Sequence, residues 1–384
     1  MKAAFLFACL FLSVTGTAQS SQVAYLRGLE AADQYQFDQA IRAFYDCYQA
    51  DPTHLDCLAR LAQCHQQMGN LNDARIYYQA WARADSLDAR AWMALGDLSL
   101  SMGEPEDAKD LYQTAVSLDT TNAYFQKKLG STCLDLGQFP AAIVALSASL
   151  DLNSRDLETI SKLGEVYLQL DNLERTGTLI NQGLALNPTY RPLLRLGVRL
   201  ANRLEDRLLT TSYGQRLLAT GDSALYFTTL TGYAWFQQDS LDQAIPLLEW
   251  VCLQDRASEL AHFYYAMALE AAGQTDSALV QMNRAIDKGQ SDYLHLFHEQ
   301  SGRLYARQKN YKDAVAAYEA AGRIEDEAEY TFQIGRVYDE WYRDKSPAIR
   351  YYQKYLRSGH QQYAEYTRQR LETLNSERHQ KGNQ

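Results

Sequence analysis

Proline is scarce in this sequence, with seven residues among 384. Proline inside a helix removes a backbone hydrogen bond and clashes with the preceding turn, so a long chain with so little of it can be helical throughout. Hydrophobic residues make up 46% and charged residues 22%, which is ordinary for a soluble globular chain. Collagen-like and disordered classes are therefore excluded, and the composition predicts an all-α fold.

Positive charge is also in short supply. Lysine and arginine total 37 against 47 aspartates and glutamates, which gives a net charge of −10 and an isoelectric point near 5.3. A surface of this sign repels polyanions, so we predict that nucleic acid is not a partner, although a local basic patch remains possible.

Catalytic motifs are lacking. The sequence has no phosphate-binding G-x-x-x-x-G-K-[ST], no dinucleotide-binding G-x-G-x-x-G and no nucleophile motif G-x-S-x-G. His295 and His298 are three residues apart on one predicted helix and could bind a metal, but Gly302 stands where a zinc-protease helix needs its second histidine. We interpret the pair as an ordinary polar face and predict no enzymatic activity, no cofactor and no metal.

Long apolar runs are absent after the first residues. Residues 3–14 form an apolar run of 12, short of the roughly 20 that a spanning helix needs. Lys2 precedes this run and small residues lead up to Ala18, a pattern typical of a secretory signal peptide. We therefore predict a signal peptide over residues 1–18 and an exported chain, either periplasmic or secreted. The lack of an N-x-[ST] acceptor favours a bacterial envelope.

What the sequence does contain is a 34-residue repeat. An alanine recurs at that interval, with a small residue 12 positions before it and a large residue four positions after it. Small residues let two antiparallel helices approach closely, and the large residue fills the groove beside them, so the spacing predicts stacked helical hairpins. The repeated alanines are Ala40, Ala74, Ala108 and Ala142; the small residues are Gly28, Ala62, Gly96 and Gly130; the large residues are Phe44, Tyr78, Tyr112 and Leu146.

The pattern resembles the tetratricopeptide repeat family. The clearest unit is Trp92-x2-Leu95-Gly96, followed by Ala108 and Tyr112. About ten such units cover residues 21–358, and a polar helix at roughly 361–377 resembles the cap that these arrays need. The resemblance implies a right-handed α-solenoid of about ten hairpins with a C-terminal capping helix. Another helical-hairpin repeat of similar length would imply the same architecture.

One unit departs from the pattern. At 190–221 the pair Leu196-Gly197 comes one residue early, and no small residue marks the second helix. We predict an N-terminal array over 19–189, a divergent repeat and hinge over 190–221, and a C-terminal array with its cap over 222–375. Residues 376–384 are predicted to be a disordered tail.

The resemblance also implies a basic site. Some repeats of this family hold a partner's terminal carboxylate between basic and asparagine side chains of three successive first helices. Lys127 matches the first basic position, and Arg191 and Arg195 match the last two. Ser131 and Lys162 stand where the family pattern has asparagine, which departs from a strict match. The implied partner carries an acidic segment or a terminal carboxylate.

The alternative is a solvated arginine face paired with Glu205, Asp206 or neighbouring acids. Arginines recur every four residues from Arg191 to Arg207, so Arg191 and Arg195 share most of a face of one predicted helix. The candidate basic residues are Lys127, Lys128, Lys162, Arg191 and Arg195.

Aromatic residues form a second candidate surface. They fall at first-helix positions that line the concave groove in the family, which implies a surface for an apolar peptide or a partner helix. The alternative is packing between repeats. The residues are Tyr226, Tyr233, Phe236, Phe263 and Tyr264.

The cysteines leave one question open. Cys47 and Cys57 are placed to form a disulfide in an exported chain, but five cysteines remain after the predicted signal peptide, and free cysteine is a common core residue. Both a bridged and an unbridged pair stay possible at this point.

Two functions are consistent with the sequence. One is a non-enzymatic scaffold that holds a protein or peptide partner in the concave groove of an exported superhelix. The other is an accessory subunit of a cell-envelope machine for secretion, outer-membrane assembly or glycan uptake. The scaffold interpretation rests on analogy of fold, since one fold serves many functions.

Overall fold

The fold is known from a computed structural model that describes residues 19–289, 292–325 and 328–382. The predicted signal peptide, residues 1–18, lies outside the described residues. Within those ranges the chain consists of helices and turns and contains no strand, which confirms the all-α prediction. None of the described helices is both long enough and apolar enough to span a bilayer.

The described chain divides into two compact units that meet between Leu196 and Gly197. The first unit begins with α1, residues 19–33, and ends inside α11, Arg191–Arg203. Its other helices are α2 (Phe37–Ala50), α3 (Leu55–Gln67), α4 (Leu71–Ala84), α5 (Ala89–Ser101), α6 (Pro105–Leu118), α7 (Ala123–Asp135), α8 (Phe139–Leu152), α9 (Leu157–Gln169) and α10 (Leu173–Leu186).

The second unit contains the rest of α11 and ten further helices among the described residues. They are α12 (Arg207–Ala219), α13 (Leu225–Gln237), α14 (Leu241–Cys252), α15 (Glu259–Ala271), α16 (Thr275–Lys288), α17 (Leu294–Arg307), α18 (Tyr311–Ile324), α19 (Ala328–Trp341), α20 (Ser346–Arg357) and α21 (Ala364–Gly382). Taken in sequential pairs, α1 to α20 make ten hairpins, in agreement with the predicted number.

The core of each hairpin is a small residue pressed against a large one. A Cβ atom built on Gly96 of α5 would lie 2.6 Å from Cδ1 of Tyr112 on α6, and one built on Gly302 would lie 3.0 Å from Cε1 of Tyr318. The alanine of each second helix is buried beside this contact, as Ala108 is. The packing that the 34-residue spacing predicts is therefore present in both units.

The divergent unit keeps this contact. A Cβ on Gly197 would lie 2.8 Å from Cγ of Tyr213, and the two residues are separated by 16 positions, as Gly96 and Tyr112 are. Gly197 and its aromatic partner Tyr213 are therefore displaced together, and their spacing is unchanged. The division into arrays at 19–189 and 222–375, with a hinge between them, stays a prediction.

The turns within hairpins use a left-handed residue. Gly103 has φ +77° between α5 and α6, as the sequence predicts, and Gly69 and Gly137 take similar values. Where glycine is missing, another residue takes the same conformation, for example Lys309 with φ +63°. A side chain in this region is strained, so these turns are held by the packing on either side.

The last helix corresponds to the predicted cap. Its buried residues Leu371 and Leu374 pack in the same cluster as Tyr352 and Tyr355 of α20. The helix runs to Gly382 and so includes residues 376–382 of the segment predicted to be disordered. Good helix formers such as Glu, Arg, Gln and Lys continue the helix past the last buried contact, where the sequence analysis ended it.

The cysteine question has an answer in the fold. Cys47, at the end of α2, and Cys57, in the first turn of α3, are joined by a disulfide, and both are fully buried. Cys64, Cys133 and Cys252 are free and buried. Burial raises the pKa of the Cys252 thiol to about 12, so this side chain is a core residue and a poor nucleophile at neutral pH.

Candidate partner-binding surfaces

The lysines of the predicted basic strip are paired with acids in the first unit. Lys127 of α7 places its Nζ 3.1 Å from Oδ2 of Asp156 and 2.9 Å from Oε2 of Glu158. Lys162 of α9 reaches the other oxygen of Glu158, with Nζ 3.8 Å from Oε1. The structure therefore brings Lys127 and Lys162 together through the carboxylates at the start of α9.

Lys128 belongs to a different set of contacts. Its Nζ donates to Oδ1 of Asp97 at 2.9 Å, and the same oxygen accepts the hydroxyl of Tyr112 at 2.6 Å. The Lys128 Nζ also lies 5.5 Å from the centroid of the Tyr124 ring, and that of Lys127 lies 5.9 Å from it. Lys127 and Lys128 therefore share Tyr124 as an aromatic neighbour. This side chain is 47% exposed, and the sequence analysis did not select it.

Arg191 and Arg195 occupy one exposed face of α11, one turn apart, while Leu193, Leu194 and Leu196 are buried. The acids at the start of α9 act on Tyr190, the residue just before α11. Burial, and then the charges of Glu158 and Asp156, raise the pKa of Tyr190, whereas a hydrogen bond from Ser161 lowers it. The predicted strip is thus a mixed surface, in which carboxylates alternate with the cations of α7 and α9.

The Lys127 and Asp156 pair makes a testable contribution to acid stability. Burial disfavours the charged form of Asp156, but hydrogen bonds from Lys127 and Thr159 outweigh it and lower the pKa of Asp156 below its ordinary value. A lowered pKa stabilises the fold fully above the ordinary value of about 3.9, and that stabilisation disappears as the pH falls through the folded-state pKa. Lys127→Met should therefore reduce the free energy of unfolding at pH 7 but not at pH 2.

Urea unfolding of wild type and variant between pH 2 and pH 7 measures this difference. The control is Lys312→Met on α18, an exposed lysine. It should change stability by less than about 0.5 kcal/mol at every pH. A Lys127→Met deficit that stayed constant with pH would show that the lysine acts through packing and not through Asp156.

The five predicted aromatic residues lie together in the second unit, and we call them the aromatic face. Tyr233 of α13 stacks on Tyr264 of α15, with ring centroids 3.9 Å apart and planes at 15°. The ring centroid of Phe236 lies 6.2 Å from that of Tyr233, and the centroid of Phe263 lies 5.8 Å from that of Tyr264. Tyr226 is 58% exposed. Burial and then the nearby Tyr233, Tyr293 and Tyr226 raise the pKa of Tyr264 to about 12.

The aromatic face is packed against the core on one side only, and its role in binding stays a prediction. Phe236, Phe263 and Tyr264 are partly buried against the core of the second unit, which is packing between repeats. None of the five side chains is fully buried, and Tyr226 has no place in that core cluster. The face is therefore anchored by its inner edge and leaves its outer edge exposed to solvent.

A cationic cavity in the second unit was missed from the sequence. It has a volume of about 500 Å³ and is lined by residues of α17, α18 and α19 and the turn at Lys309. Arg303 and Arg307 are one turn apart on α17, and the lining from α19 includes Arg336 and one acid, Glu340. The sequence feature that could have predicted it is an arginine directly after the repeat glycine in two successive repeats, Gly302-Arg303 and Gly335-Arg336.

The cavity has the chemistry of an anion site with an aromatic wall. Arg307 and Arg303 place their Nη atoms 2.8 Å and 3.7 Å from the carboxylate of Glu270, so α15 carries their acid partner. Trp341 lines the cavity, is 41% exposed and stacks on Tyr311 at 4.2 Å. Arginine forks suit carboxylates, so the cavity fits an acidic side chain.

The predicted histidine pair has separate surroundings. His295 places Nε2 3.1 Å from Oε2 of Glu325, and burial and then Arg323 lower the pKa of His298. The described residues instead bring Cys47, His54 and Cys57 together, with their ligand atoms within 4.8 Å of one another.

The described residues form an all-α protein built of helical hairpins, and the candidate site residues lie on first helices of those hairpins. Residues 31–98 and 89–122 match models of the tetratricopeptide repeat. Tetratricopeptide repeats are therefore present over residues 31–122, as the residue pattern predicted for that stretch. No curated protein matches the sequence.

Solved structures resemble parts of the chain. A tetratricopeptide repeat protein from Parabacteroides merdae is 16% identical, covers 63% of this chain and 96% of its own, and has a TM-score of 0.48. PilF of Pseudomonas aeruginosa is 21% identical, covers 58% of this chain and 99% of its own, and also has a TM-score of 0.48. MamA is 23% identical, covers 44% and 93%, and has a TM-score of 0.41.

Proposed function

We propose that the chain is a non-enzymatic scaffold whose second unit binds a segment of a partner protein. The observation that carries the proposal is the aromatic face, in which half-buried rings on α13 and α15 expose their outer edges. Rings anchored in this way lose little conformational freedom on binding, and such residues dominate binding energy at protein interfaces.

The cationic cavity extends this proposal to the partner's chemistry. Glu270 of α15 pairs with Arg303 and Arg307 of α17, so a helix that carries part of the aromatic face contacts a helix that lines the cavity. A segment with aromatic or aliphatic side chains followed by acidic ones would place apolar groups on the rings and carboxylates at Arg303, Arg307 and Arg336. We therefore propose an apolar and acidic peptide segment as the ligand class.

Selection of a displayed random peptide library against the purified chain tests this function. Selected peptides should be enriched in aromatic or aliphatic residues and in Asp or Glu. Tyr226→Ala should weaken their binding by about tenfold, since truncating a well-placed interface tyrosine costs more than ~1 kcal/mol. Tyr45→Ala on α2, where the side chain is 47% exposed, is the matched control and should leave the affinity unchanged.

The salt dependence of binding tests the cavity separately. Binding of the same peptides should weaken as salt rises, and Arg336→Gln should remove most of that dependence. Peptides that bind Tyr226→Ala and wild type equally well, or selection that yields no enriched class, would contradict the proposed site.

We also propose that the scaffold acts after export. The support is the sequence alone: Lys2, the apolar run of residues 3–14 and the small residues up to Ala18. N-terminal sequencing of the chain from its source tests this, with Gln19 as the expected first residue. An accessory subunit of an envelope machine remains the second candidate function, and it would elute from a native extract as part of a larger complex than the purified chain.

A further inference from the structure

Four side chains from α1, the end of α2 and the start of α3 meet at the beginning of the first unit. Ser21 comes from α1, Cys47 from the end of α2, His54 from the residue before α3 and Cys57 from the first turn of α3. Both cysteines are fully buried, Ser21 is 1% exposed and His54 is half-buried. The Tyr25 ring lies 4.9 Å from the His54 ring and fixes its position.

The spacing of the His54 and Cys47 ligand atoms matches an edge of a tetrahedral metal site, while the two sulfurs are joined to each other as a disulfide. Nδ1 of His54 lies 3.5 Å from Sγ of Cys47. Oγ of Ser21 lies 3.1 Å from that nitrogen and 3.3 Å from that sulfur. With Zn–S near ~2.3 Å and Zn–N near ~2.05 Å, a tetrahedron has sulfur-to-nitrogen edges of roughly 3.5 Å. In the described part of the chain, these cysteines and His54 are the one cluster of this kind.

We propose that Cys47, His54 and Cys57 bind Zn²⁺ when the disulfide between the two cysteines is reduced. A dithiol reductant supplies two electrons and two protons, the sulfur-sulfur bond breaks, and the reductant itself becomes a disulfide. Zn²⁺ then displaces the two thiol protons, and the neutral His54 ring supplies Nδ1 as the third ligand. Ser21 Oγ borders the fourth position. This site is separate from the proposed peptide surface.

The inference follows from the type and burial of the donors. Two thiolates and one imidazole are a preferred ligand set for Zn²⁺ and a poor one for Mg²⁺ or Ca²⁺. Reduction alone would leave two thiols buried side by side, and metal binding would join α2 to α3 again. The same three residues therefore close the turn between α2 and α3 in either redox state.

Metal titration of the full chain tests the site. The protein is reduced with dithiothreitol, freed of reductant under argon, and titrated with Zn²⁺ against a chromophoric chelator. Reduced wild type should bind one Zn²⁺ per chain, and oxidised wild type should bind none. Co²⁺ in place of Zn²⁺ should give the visible bands of a tetrahedral site and a near-ultraviolet band from sulfur-to-metal charge transfer.

Three variants assign the ligands. Cys57→Ser should abolish stoichiometric binding, and His54→Gln should weaken it by at least about tenfold, since even changes outside the ligand set cost 10–100-fold. Cys64→Ser on the same helix, where the cysteine is also buried, is the control and should bind like wild type. Far-UV circular dichroism confirms that each variant is folded.

Failure of reduced wild type to bind Zn²⁺ would overturn the inference and leave a purely structural disulfide. Equal binding by wild type, His54→Gln and Cys57→Ser would also overturn it. The peptide-binding result is independent of either outcome, because the aromatic face and the cavity belong to the second unit.

Discussion

Gly96→Leu should destabilise the first unit by about 3 kcal/mol, the upper part of the usual range for overpacking a core. A Cβ at position 96 would lie 2.6 Å from Cδ1 of Tyr112, well inside contact distance. The tyrosine cannot swing away, because it is fully buried and its hydroxyl donates to Asp97 at 2.6 Å. Since the added side chain has nowhere to go, α5 and α6 must separate.

Urea unfolding followed by far-UV circular dichroism measures this loss. The matched comparison is Gly96→Ala against Gly322→Ala on α18, where the nearest atoms to a new Cβ belong to Tyr330 and lie 3.9 Å away. Gly322→Ala should be neutral or stabilise by up to ~1 kcal/mol, because alanine is the better helix former. If both alanine variants changed stability equally, close approach of the helices at Gly96 would not be the reason for its glycine.

The repeat pattern predicted the packing well because it records a contact between two positions at a fixed spacing. Gly96 and Tyr112 lie within one 34-residue repeat, and the geometry of a single helical hairpin is enough to bring them into contact. The same logic holds where the frame slips, since Gly197 and Tyr213 move together. Local sequence therefore determined the fold almost completely.

The sites were harder to predict because they depend on contacts between hairpins. The basic positions Lys127 and Lys162 were found, but Asp156 and Glu158, which neutralise them, were not identified as their partners. The arginine cavity was missed because its arginines belong to different hairpins, and each alone is an ordinary surface residue.

The meeting of His54 with the cysteines was likewise hidden from the sequence. The spacing of Cys47 and Cys57 raised the question of a bridge, but it said nothing about the residue between them. His54 reaches Cys47 only because the turn between α2 and α3 directs its ring toward α1, where Ser21 and Tyr25 receive it.

The buried carboxylate of Asp339 holds the last helix in place. Arg370 of α21 donates from Nε to Oδ2 at 2.7 Å and from Nη2 to Oδ1 at 2.9 Å, a two-point contact. Tyr352 adds a hydrogen bond at 3.2 Å, and Asp339 is 6% exposed. The hydrogen bond with Asp339 raises the pKa of Arg370, so this guanidinium keeps its positive charge.

Arg370→Met should therefore destabilise the second unit by about 3 kcal/mol, because breaking a buried pair leaves a carboxylate without its main counter-charge. The nearest remaining cation is Lys345, with Nζ 3.9 Å from Oδ1. Methionine keeps the apolar stem, so lost packing contributes little. Urea unfolding measures the loss, and faster hydrogen exchange should be confined to α21 and its contacts on α19 and α20.

Two further variants separate charge from packing in this prediction. Arg368→Met changes an exposed arginine on the same helix and should alter stability by less than about 0.5 kcal/mol. Adding Asp339→Asn to Arg370→Met should recover part of the loss, because the neutral amide no longer needs a counter-charge. A double variant less stable than Arg370→Met alone, or an Arg368→Met loss equal to that of Arg370→Met, would mean that the two-point contact does not anchor α21.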